Sequence, residues 1–464
     1  MGLQLATHGS DNLSGPNDTF LTYSVTGRPT TGTTQLPFHQ GASARSFGTY
    51  IDDSYRVARA TFNIGVRYDY SQGSFPSFPF LDAQGFPTGE MSPANDDVYH
   101  WHTVSPRMGV NYRVTGSGRT LLKAHYGRYY KALEAAEFRP AVPSITLEFS
   151  FTPDAAGNPT NVVQVSSNAN LRIDPEFKSA VADQYIVQLE HELLAGLGVQ
   201  VNYVHKRGEN YGAWMDIAGE YEQVPYIDSV GADATGQTVM VHRLLSNPAS
   251  RIFLQTNPDG MYMRYNGMTL MGTKRMANRW QGVISVVLSK SEGRLGSSAR
   301  FTPVSAQSSQ AGSFGRDAAG PNDFVNSDGR LIGDRPVVAK AQVLYQFPWG
   351  ILGSVNVQHQ TGRVYTRAVR VSGLGFPVAP QINMEPNTGD RRVDDVNLVD
   401  MRVQKAIRVS GDTMRVEVFM DALNLTNSDQ AESVGSSLGT SAAFGVPTRY
   451  TVPRRLQFGA KLRW

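Results

Sequence analysis

The chain has 464 residues, of which 40% are hydrophobic and only 18% are charged, and its formal net charge is +3. Soluble domains typically contain about 45 to 50% apolar and about 25% charged residues, so this chain is poor in both classes. Its near-neutral charge without a basic stripe argues against nucleic acid as a partner, and its lack of cysteine excludes disulfides, thiolate zinc sites and cysteine nucleophiles. The 45 glycines and 25 prolines favour many short strands over long helices.

Alternation of apolar and polar residues predicts β-strands with one apolar face. In the last run, apolar Leu456, Phe458 and Leu462 alternate with polar Gln457 and Lys461. The runs have about ten residues each, the length of a tilted membrane-spanning strand. Further runs begin near Phe62, Tyr185, Leu197, Val399 and Met414, and Lys405 is the exception on the apolar side of its run.

Short and long connections alternate between these runs. The short connections lie near residues 56–59, 115–118, 195–196, 277–279, 348–350 and 410–412. The long segments, rich in Gly, Pro, Ser, Asn and Asp, span about residues 71–103, 131–181, 208–261, 291–335, 362–394 and 426–453. Compact soluble domains seldom contain structureless loops longer than about 12 to 15 residues. The alternation predicts turns along one rim of a sheet and long loops along the other.

Two unequal rims are typical of outer-membrane β-barrels, whose strands are apolar towards lipid and polar towards the lumen. Every backbone amide in hydrocarbon must be paired internally, so strands cross a bilayer only in closed sheets. A soluble β-sandwich or propeller predicts loops of similar length at both ends and an apolar inner face. The polar sides of the runs, which we expect to face the lumen, include Arg67, Gln188, Glu190, Arg402, Arg415 and Arg463.

Several segments resemble strands of TonB-dependent outer-membrane receptors. Residues 47–57 read FGTYIDDSYRV and are followed by FNIGVRYD at 62–69, while residues 418–427 read VFMDALNLTN. GDRP at 333–336 and GRVYT at 362–366 resemble the Oar-type branch of that family. The resemblance extends over roughly residues 46 to 464 and ends in a terminal aromatic strand.

The resemblance implies an all-β, antiparallel up-and-down transmembrane barrel, of whose roughly 22 strands this chain contains about fourteen, so the sheet is expected to be open. Residues 1–45 are expected to hold a truncated first strand and a loop, and 46–464 the C-terminal portion of the barrel, with the signal peptide and plug domain absent. It also implies import of a large or scarce nutrient through the outer membrane of a Gram-negative bacterium, without enzymatic chemistry or a cofactor.

The expected partners are outer-membrane lipid, the barrel assembly machinery and an unidentified substrate, with the TonB complex reached only through the missing N-terminal part. The last strand resembles the signal that the assembly machinery recognises, carried by Leu456, Phe458, Leu462 and Trp464. Two alternatives remain open: a structural or adhesive envelope protein, and a soluble carbohydrate-active enzyme. A plug and a TonB box encoded upstream would favour transport over adhesion.

Four local patterns could suggest chemistry, and each has a simpler interpretation. Residues 435–439 fit G-x-S-x-G, but no helical pattern follows the serine as a nucleophile elbow requires. His100 and His102 lack a third metal ligand nearby, and paired carboxylates such as Asp52 and Asp53 point to opposite faces of a strand. One segment contains several possible oxygen ligands for calcium, but their spacing does not fit the twelve-residue calcium loop. They are Asn322, Asp323, Asn326, Asp328 and Asp334.

Overall fold

Antiparallel β-strands dominate the computed structural model, which describes residues 2–14, 18–23, 29–142, 147–167, 170–295, 320–376, 379–410 and 414–463. One large sheet contains a short side strand, Asp328–Arg330, and fourteen strands that follow one another in chain order. They are β1 Gly2–Ser14, β2 Phe38–Val57, β3 Ala60–Phe75, β4 Asn95–Arg113, β5 Thr120–Tyr130, β6 Val181–Leu194, β7 Leu197–Glu209, β8 Tyr262–Ala277, β9 Trp280–Arg294, β10 Val337–Gln346, β11 Ile351–Gln360, β12 Val396–Ser410, β13 Met414–Leu423 and β14 Arg455–Arg463.

Each strand of this sheet pairs antiparallel with its neighbours in chain order. The sheet is not closed: within the described residues β1 pairs only with β2, and β14 only with β13. The predicted fold class is confirmed, since the chain forms an all-β, up-and-down, open sheet of fourteen strands. Two details differ from the expectation. Strand β2 begins at Phe38, upstream of residue 46, and the strands have 9 to 20 residues instead of about ten.

Short turns form one rim of the sheet. Two residues each connect β2 to β3, β6 to β7 and β8 to β9. In the last of these turns Asn278 and Arg279 have φ angles of 53° and 67°, the positive values that match a two-residue hairpin to the twist of its strands. The turn predicted near 410–412 lies mostly outside the described residues, since residues 411–413 are not among them.

The long connections form the other rim, as predicted, but they contain more structure than their composition suggested. Small hairpins occupy most of them, and one α-helix of four residues, Ala135–Phe138, follows β5. None of the helices in the described part of the chain is long and apolar enough to cross a membrane. The additional strands are Asp18–Tyr23, Pro29–Gln35, Pro79–Leu81, Pro87–Met91, Leu147–Pro153, Pro159–Ser167, Leu171–Ile173, Ala213–Asp216, Tyr221–Ile227, Thr238–Leu244, Phe253–Thr256, Asp328–Arg330, Ala368–Arg370, Gln381–Asn383, Ala431–Val434 and Pro447–Tyr450.

The hydrogen-bond register keeps the apolar side chains of neighbouring strands in phase. Leu122, Leu189, Val201, Leu270 and Val286 lie directly opposite one another on β5 to β9. Leu189, Val201 and Leu270 are 43%, 41% and 41% exposed. A slip of one residue would exchange the two sides of a strand, so the register defines an apolar face and a polar face of the sheet. A second row continues the apolar face to the last strand through Val343, Val355, Met401, Ala422 and Leu456.

Candidate functional site

The polar face carries ion pairs between neighbouring strands. On β5 and β6, Lys123 Nζ lies 2.7 Å from Glu190 Oε1, and Gln188 donates a hydrogen bond to the same oxygen. Two of the residues expected to face the lumen, Gln188 and Glu190, therefore share one network. The negative charge of Glu190 is compensated by a lysine that the sequence pattern did not single out.

Arg67 on β3 lies beside a cavity on this face. Its Nε donates hydrogen bonds to both carboxylate oxygens of Asp69, at 2.9 and 2.8 Å, and its Nη2 donates to Gln4 Oε1 at 3.2 Å. The cavity has a volume of about 260 Å³, and its wall also includes Ser71 and Trp101. It is therefore bordered by a neutralised ion pair, an amide, a hydroxyl and an aromatic ring.

A third ion pair links β12 and β13. Arg402 donates from Nε and Nη2 to the two carboxylate oxygens of Asp421, at 2.5 and 2.7 Å. The guanidinium carbon of Arg402 also lies 4.5 Å from the ring centre of Phe419, and Lys461 Nζ lies 5.7 Å from that ring. Cations so placed interact favourably with the ring face, which accounts for an aromatic side chain on the polar face.

The remaining residues expected to face the lumen lie near the turn rim. Arg415 is directly opposite Arg408 on one side and Arg463 on the other, and the side chain of Arg463 lies outside the described part of the structure. Arg67, Glu190, Arg402 and Arg415 stand on four separate strands. The structure thus places the expected lumen residues on one face without bringing them to one point.

A segment between β5 and β6, residues 133–142, folds onto the polar face at the loop rim, and we call it the inner cap. Phe138 is 0% exposed, and its ring centre lies 5.9 Å from that of Phe75 and 5.8 Å from that of Tyr99. A Cβ on Gly73 would lie 2.8 Å from Phe138 Cζ. Glycine at this position lets the inner cap lie directly against β3, above the cavity beside Arg67.

A buried ion pair joins two loops of the rim. Arg367 and Asp228 are both 0% exposed, and Arg367 Nη1 donates to the two carboxylate oxygens at 2.7 and 2.6 Å. Arg367 Nε and Nη2 donate to the backbone oxygens of Ala232 and Val230, at 2.7 and 2.6 Å. Burial raises the pKa of Asp228, but hydrogen bonds from Arg367 and Thr235 outweigh it and hold the pKa below its ordinary value. We call this arrangement the Arg367 clamp.

The G-x-S-x-G segment at 435–439 forms a third side of the Arg367 clamp. Gly439 donates its N–H to the backbone oxygen of Ala368 and accepts a hydrogen bond from the Ala232 N–H, at 2.9 and 2.7 Å. A Cβ on Gly439 would lie 2.6 Å from Arg367 Nε. No helix follows Ser437 among the described residues, so the segment lacks the geometry of a nucleophile elbow.

The oxygen-bearing side chains between β9 and β10 have separate partners instead of a common centre. Asp328 accepts a hydrogen bond from the Tyr262 hydroxyl at 2.7 Å, and Asp334 binds Arg392 Nη2 at 2.7 Å. Across the described ranges, no group of three His, Asp or Glu side chains is arranged to hold a metal. Asn322, Asp323 and Asn326 hydrogen bond to the backbone of His242, Gly320 and Asn383 respectively.

The two histidines at the loop end of β4 contact other side chains. His102 Nδ1 lies 2.7 Å from the Tyr68 hydroxyl, and His100 Nδ1 lies 3.1 Å from Asp97 Oδ1. Trp101 between them points to the polar face and is 8% exposed. An aromatic cluster at the strand end accounts for these residues.

Aromatic and polar residues border the apolar face at both rims. At the turn rim, Trp280 lies directly opposite Tyr345, and Lys274 Nζ lies 4.2 Å from the Trp280 ring centre. On β8, Asn266 and Lys274 are separated by roughly 20 Å along the barrel axis, given the usual rise and tilt of such strands. This is close to the height of the apolar band of outer-membrane barrels, about 25 Å. At the loop rim, a row that we call the boundary row consists of Tyr126, Tyr185, His205, Asn266 and Lys290.

The last strand shows its apolar side chains on the apolar face. Leu456, Phe458 and Leu462 are 59%, 73% and 47% exposed. They lie directly opposite the even-numbered residues of β13. Trp464, the fourth residue of the expected assembly signal, lies outside the described residues.

Sequence reasoning missed the inner cap and the Arg367 clamp. Neither Arg367 nor Asp228 belongs to an alternating run, and 139 positions separate them. The available signal was glycine at tight loop positions, Gly231 with a φ of 81° and Gly439 beside Arg367. Glycine marks such positions without naming the partner that occupies them.

Comparison with known proteins agrees with this architecture. A family model described as an outer membrane beta barrel domain matches residues 6–366. The TonB-dependent transporter Oar of Myxococcus xanthus is similar at 23% identity over 213 residues, which cover 38% of this chain and 19% of Oar.

Solved receptors share the fold. The siderophore receptor PiuA from Acinetobacter baumannii has a TM-score of 0.50 and 9% identity, over 94% of this chain and 44% of PiuA. The ferric-catecholate import receptor Fiu from Escherichia coli K12 has a TM-score of 0.50 and 12% identity, over 99% of this chain and 54% of Fiu. The ferric citrate transporter FecA has a TM-score of 0.50 and 10% identity, with 99% and 54% covered. The chain thus spans about half the length of these structures.

Proposed function

This chain belongs to the outer membrane beta barrel domain family, and on that premise we propose that it forms part of a TonB-dependent receptor that takes up a large or scarce nutrient. Its location is the outer membrane of a Gram-negative bacterium. The observation that carries the proposal is the asymmetry of the sheet, with folded loops held above a polar face at one rim and bare turns at the other. A receptor needs such a binding rim on the side from which the nutrient arrives.

We further propose that the sheet is the C-terminal portion of a larger closed barrel. Among the described residues, strands β1 and β14 each have one edge without a paired strand, and unpaired backbone groups in hydrocarbon cost several kcal/mol each. Additional strands would pair these edges. In this proposal residues 1–45 contain β1 and the start of β2, residues 46–464 contain the rest of the sheet, and the plug and the TonB contact belong to segments outside this chain.

The mechanism that follows is binding and passage without bond chemistry. The ion pairs of Arg67, Glu190 and Arg402 compensate charge locally on the polar face, so these three positions offer hydrogen bonds more than a net charge. The inner cap and the Arg367 clamp hold the loop rim in a defined shape above it. A rigid rim lowers the entropy lost when a ligand binds.

Assembly would involve the last strand. Leu456, Phe458 and Leu462 present a continuous apolar edge, which we propose is recognised, together with Trp464, by the barrel assembly machinery. Replacing Phe458 with Lys should lower the amount of folded protein in the outer membrane. Replacing Gln457, on the polar face directly opposite Asp421, with Lys should leave that amount unchanged.

Uptake by the host bacterium tests the proposed function. The host, a deletion strain and a complemented strain would be supplied with labelled iron chelates, oligosaccharides and peptides, each with and without a protonophore. The proposal expects at least one compound whose uptake requires both the gene and the proton gradient. Absence of any such compound, combined with loss of attachment to surfaces in the deletion strain, would contradict transport and support the adhesive alternative.

Variants of the inner cap refine this test. Gly73→Ala places a Cβ 2.8 Å from Phe138 and should displace the inner cap, which changes the rate of uptake. Gly333→Ala is the matched control, because a Cβ there would meet nothing within 4 Å. Equal uptake by both variants would exclude a role of the inner cap in access to the polar face.

A further inference from the structure

A row of charged side chains crosses the apolar face two residues beyond the boundary row, on its loop side. Because these residues share the face of Leu270 and Tyr203, their heads lie just outside the apolar band. This is the depth at which lipid headgroups surround a membrane protein. The row consists of Arg128, Asp183, Arg207, Arg264 and Glu292, directly opposite one another on β5 to β9.

One end of the row is internally satisfied. Arg128 donates from Nε and Nη2 to the two carboxylate oxygens of Asp183, both at 2.8 Å. The Tyr126 hydroxyl donates to the same carboxylate at 2.8 Å. Such a two-pronged pair compensates the charge of Arg128, so Arg128 attracts another anion less than an arginine without this partner.

The middle of the row is different. Arg207 and Arg264 lie directly opposite each other, and like charges in that position destabilise a sheet. Arg207 pairs with Glu209 on its own strand, while Arg264 reaches Glu292 Oε1 only at 3.5 Å.

Lys290 competes for the same acid as Arg264. Its Nζ lies 2.5 Å from Glu292 Oε2. The side chains of Arg207, Arg264 and Lys290 remain 62%, 47% and 49% exposed. Among the described residues, the neighbouring carboxylates are Asp183, which Arg128 engages, Glu209 on the strand of Arg207, and Glu292, which Arg264 and Lys290 share. None of them stands between the directly opposed Arg207 and Arg264.

We propose that a phosphate group of an outer-leaflet lipid binds between Arg207 and Arg264, with Lys290 beside it. Adjacent strands lie about 4.8 Å apart, so the two guanidinium groups can donate to one phosphate. Arginine suits phosphate because its planar N–H groups match the oxygens in pairs. The bound anion removes the repulsion across the two strands.

The surface below these cations favours a lipid over an acidic protein or free phosphate. Tyr203 and Leu270, on the same face, are 46% and 41% exposed, and the apolar row continues across the neighbouring strands. A partner that presents an anion at the row and hydrocarbon beneath it covers both surfaces at once. This inference rests on the membrane location of the chain and is independent of the nutrient.

Lipid binding by the complete natural protein, purified in detergent, tests the proposal. Native mass spectrometry would measure binding of bisphosphorylated lipid A and of the same lipid after removal of its phosphates. The double variant Arg207→Gln with Arg264→Gln should bind the phosphorylated lipid about tenfold or more weakly than wild type, from the usual strength of charged hydrogen bonds. The dephosphorylated lipid should bind both proteins equally.

Lys405→Gln is the matched control, since it also removes a cation from the apolar face but lies near the turn rim, opposite Ile351. It should bind the phosphorylated lipid like wild type. Heat-modifiable migration on a gel would establish that each variant is folded. If the double variant is not folded, lipid binding by the two single Arg variants is measured instead. Equal binding by wild type and Arg variants, an equal loss in Lys405→Gln, or displacement of the lipid by equimolar inorganic phosphate would overturn the proposal.

Discussion

Substitution of Leu270 by arginine is the most direct test of the two faces. On β8, Leu270 lies four residues from Asn266 in the boundary row and four from Lys274 at the turn rim. At about 3.3 Å per residue and a tilt of about 40°, it is roughly 10 Å from either border. It is also flanked in register by Val201 and Val286.

An arginine at this depth cannot reach water without deforming the bilayer. Arginine at the midplane of the lipid face of a barrel costs about 2 to 4 kcal/mol. The unfolding equilibrium constant should therefore rise by about 30-fold or more. The measurement is guanidinium unfolding of the complete natural protein in lipid vesicles, followed by tryptophan fluorescence.

The neighbouring residue supplies the control. Thr269 lies on the polar face, directly opposite Asn202 and Val287, where an arginine stays in contact with water. Thr269→Arg should cost less than about 1 kcal/mol, since lumen positions tolerate charge. Equal losses in the two variants, or a larger loss in Thr269→Arg, would refute the assignment of the faces.

Four further predictions concern the loop rim and the chain as a whole. Arg367→Met leaves Asp228 buried without its partner and should cost about 3 to 5 kcal/mol of local stability, seen as faster proteolysis of the loops in intact cells, whereas exposed Arg370→Met should not. Because the pKa of Asp228 is lowered, the Arg367 clamp keeps its full stability above the ordinary value of about 3.9 and loses it as the pH falls through the lowered pKa. Loop proteolysis in wild type should therefore rise only below about pH 4, and an onset near neutral pH would contradict this. Gly439→Ala should weaken the same clamp by about 1 to 3 kcal/mol through steric overlap, measured by the same proteolysis. Residues 1–464 expressed alone should aggregate without a heat-modifiable band, and a stable, ion-conducting barrel would disprove the need for further strands.

Local alternation along the chain was sufficient to predict the sheet and the sides of its strands. In β6, Val187 and Leu189 alternate with Gln188 and Glu190, and a strand with a period of two must separate these pairs onto opposite faces. The same reasoning, with the alternation of short and long connections, predicted the up-and-down order and the two unequal rims. These features depend on neighbours in sequence, so the sequence contains them.

Contacts between distant residues required the folded chain. Arg367 meets Asp228 across 139 positions, and Phe138 reaches the polar face because Gly73 leaves room there. Arg207 faces Arg264 only because the pairing of β7 with β8 sets that register. Such contacts arise from the strand register and the packing of loops against one another. No local pattern specifies them, because many partners could pair with the backbone hydrogen-bonding groups and the charge of a loop residue. Only the folded loop rim selects one of these partners.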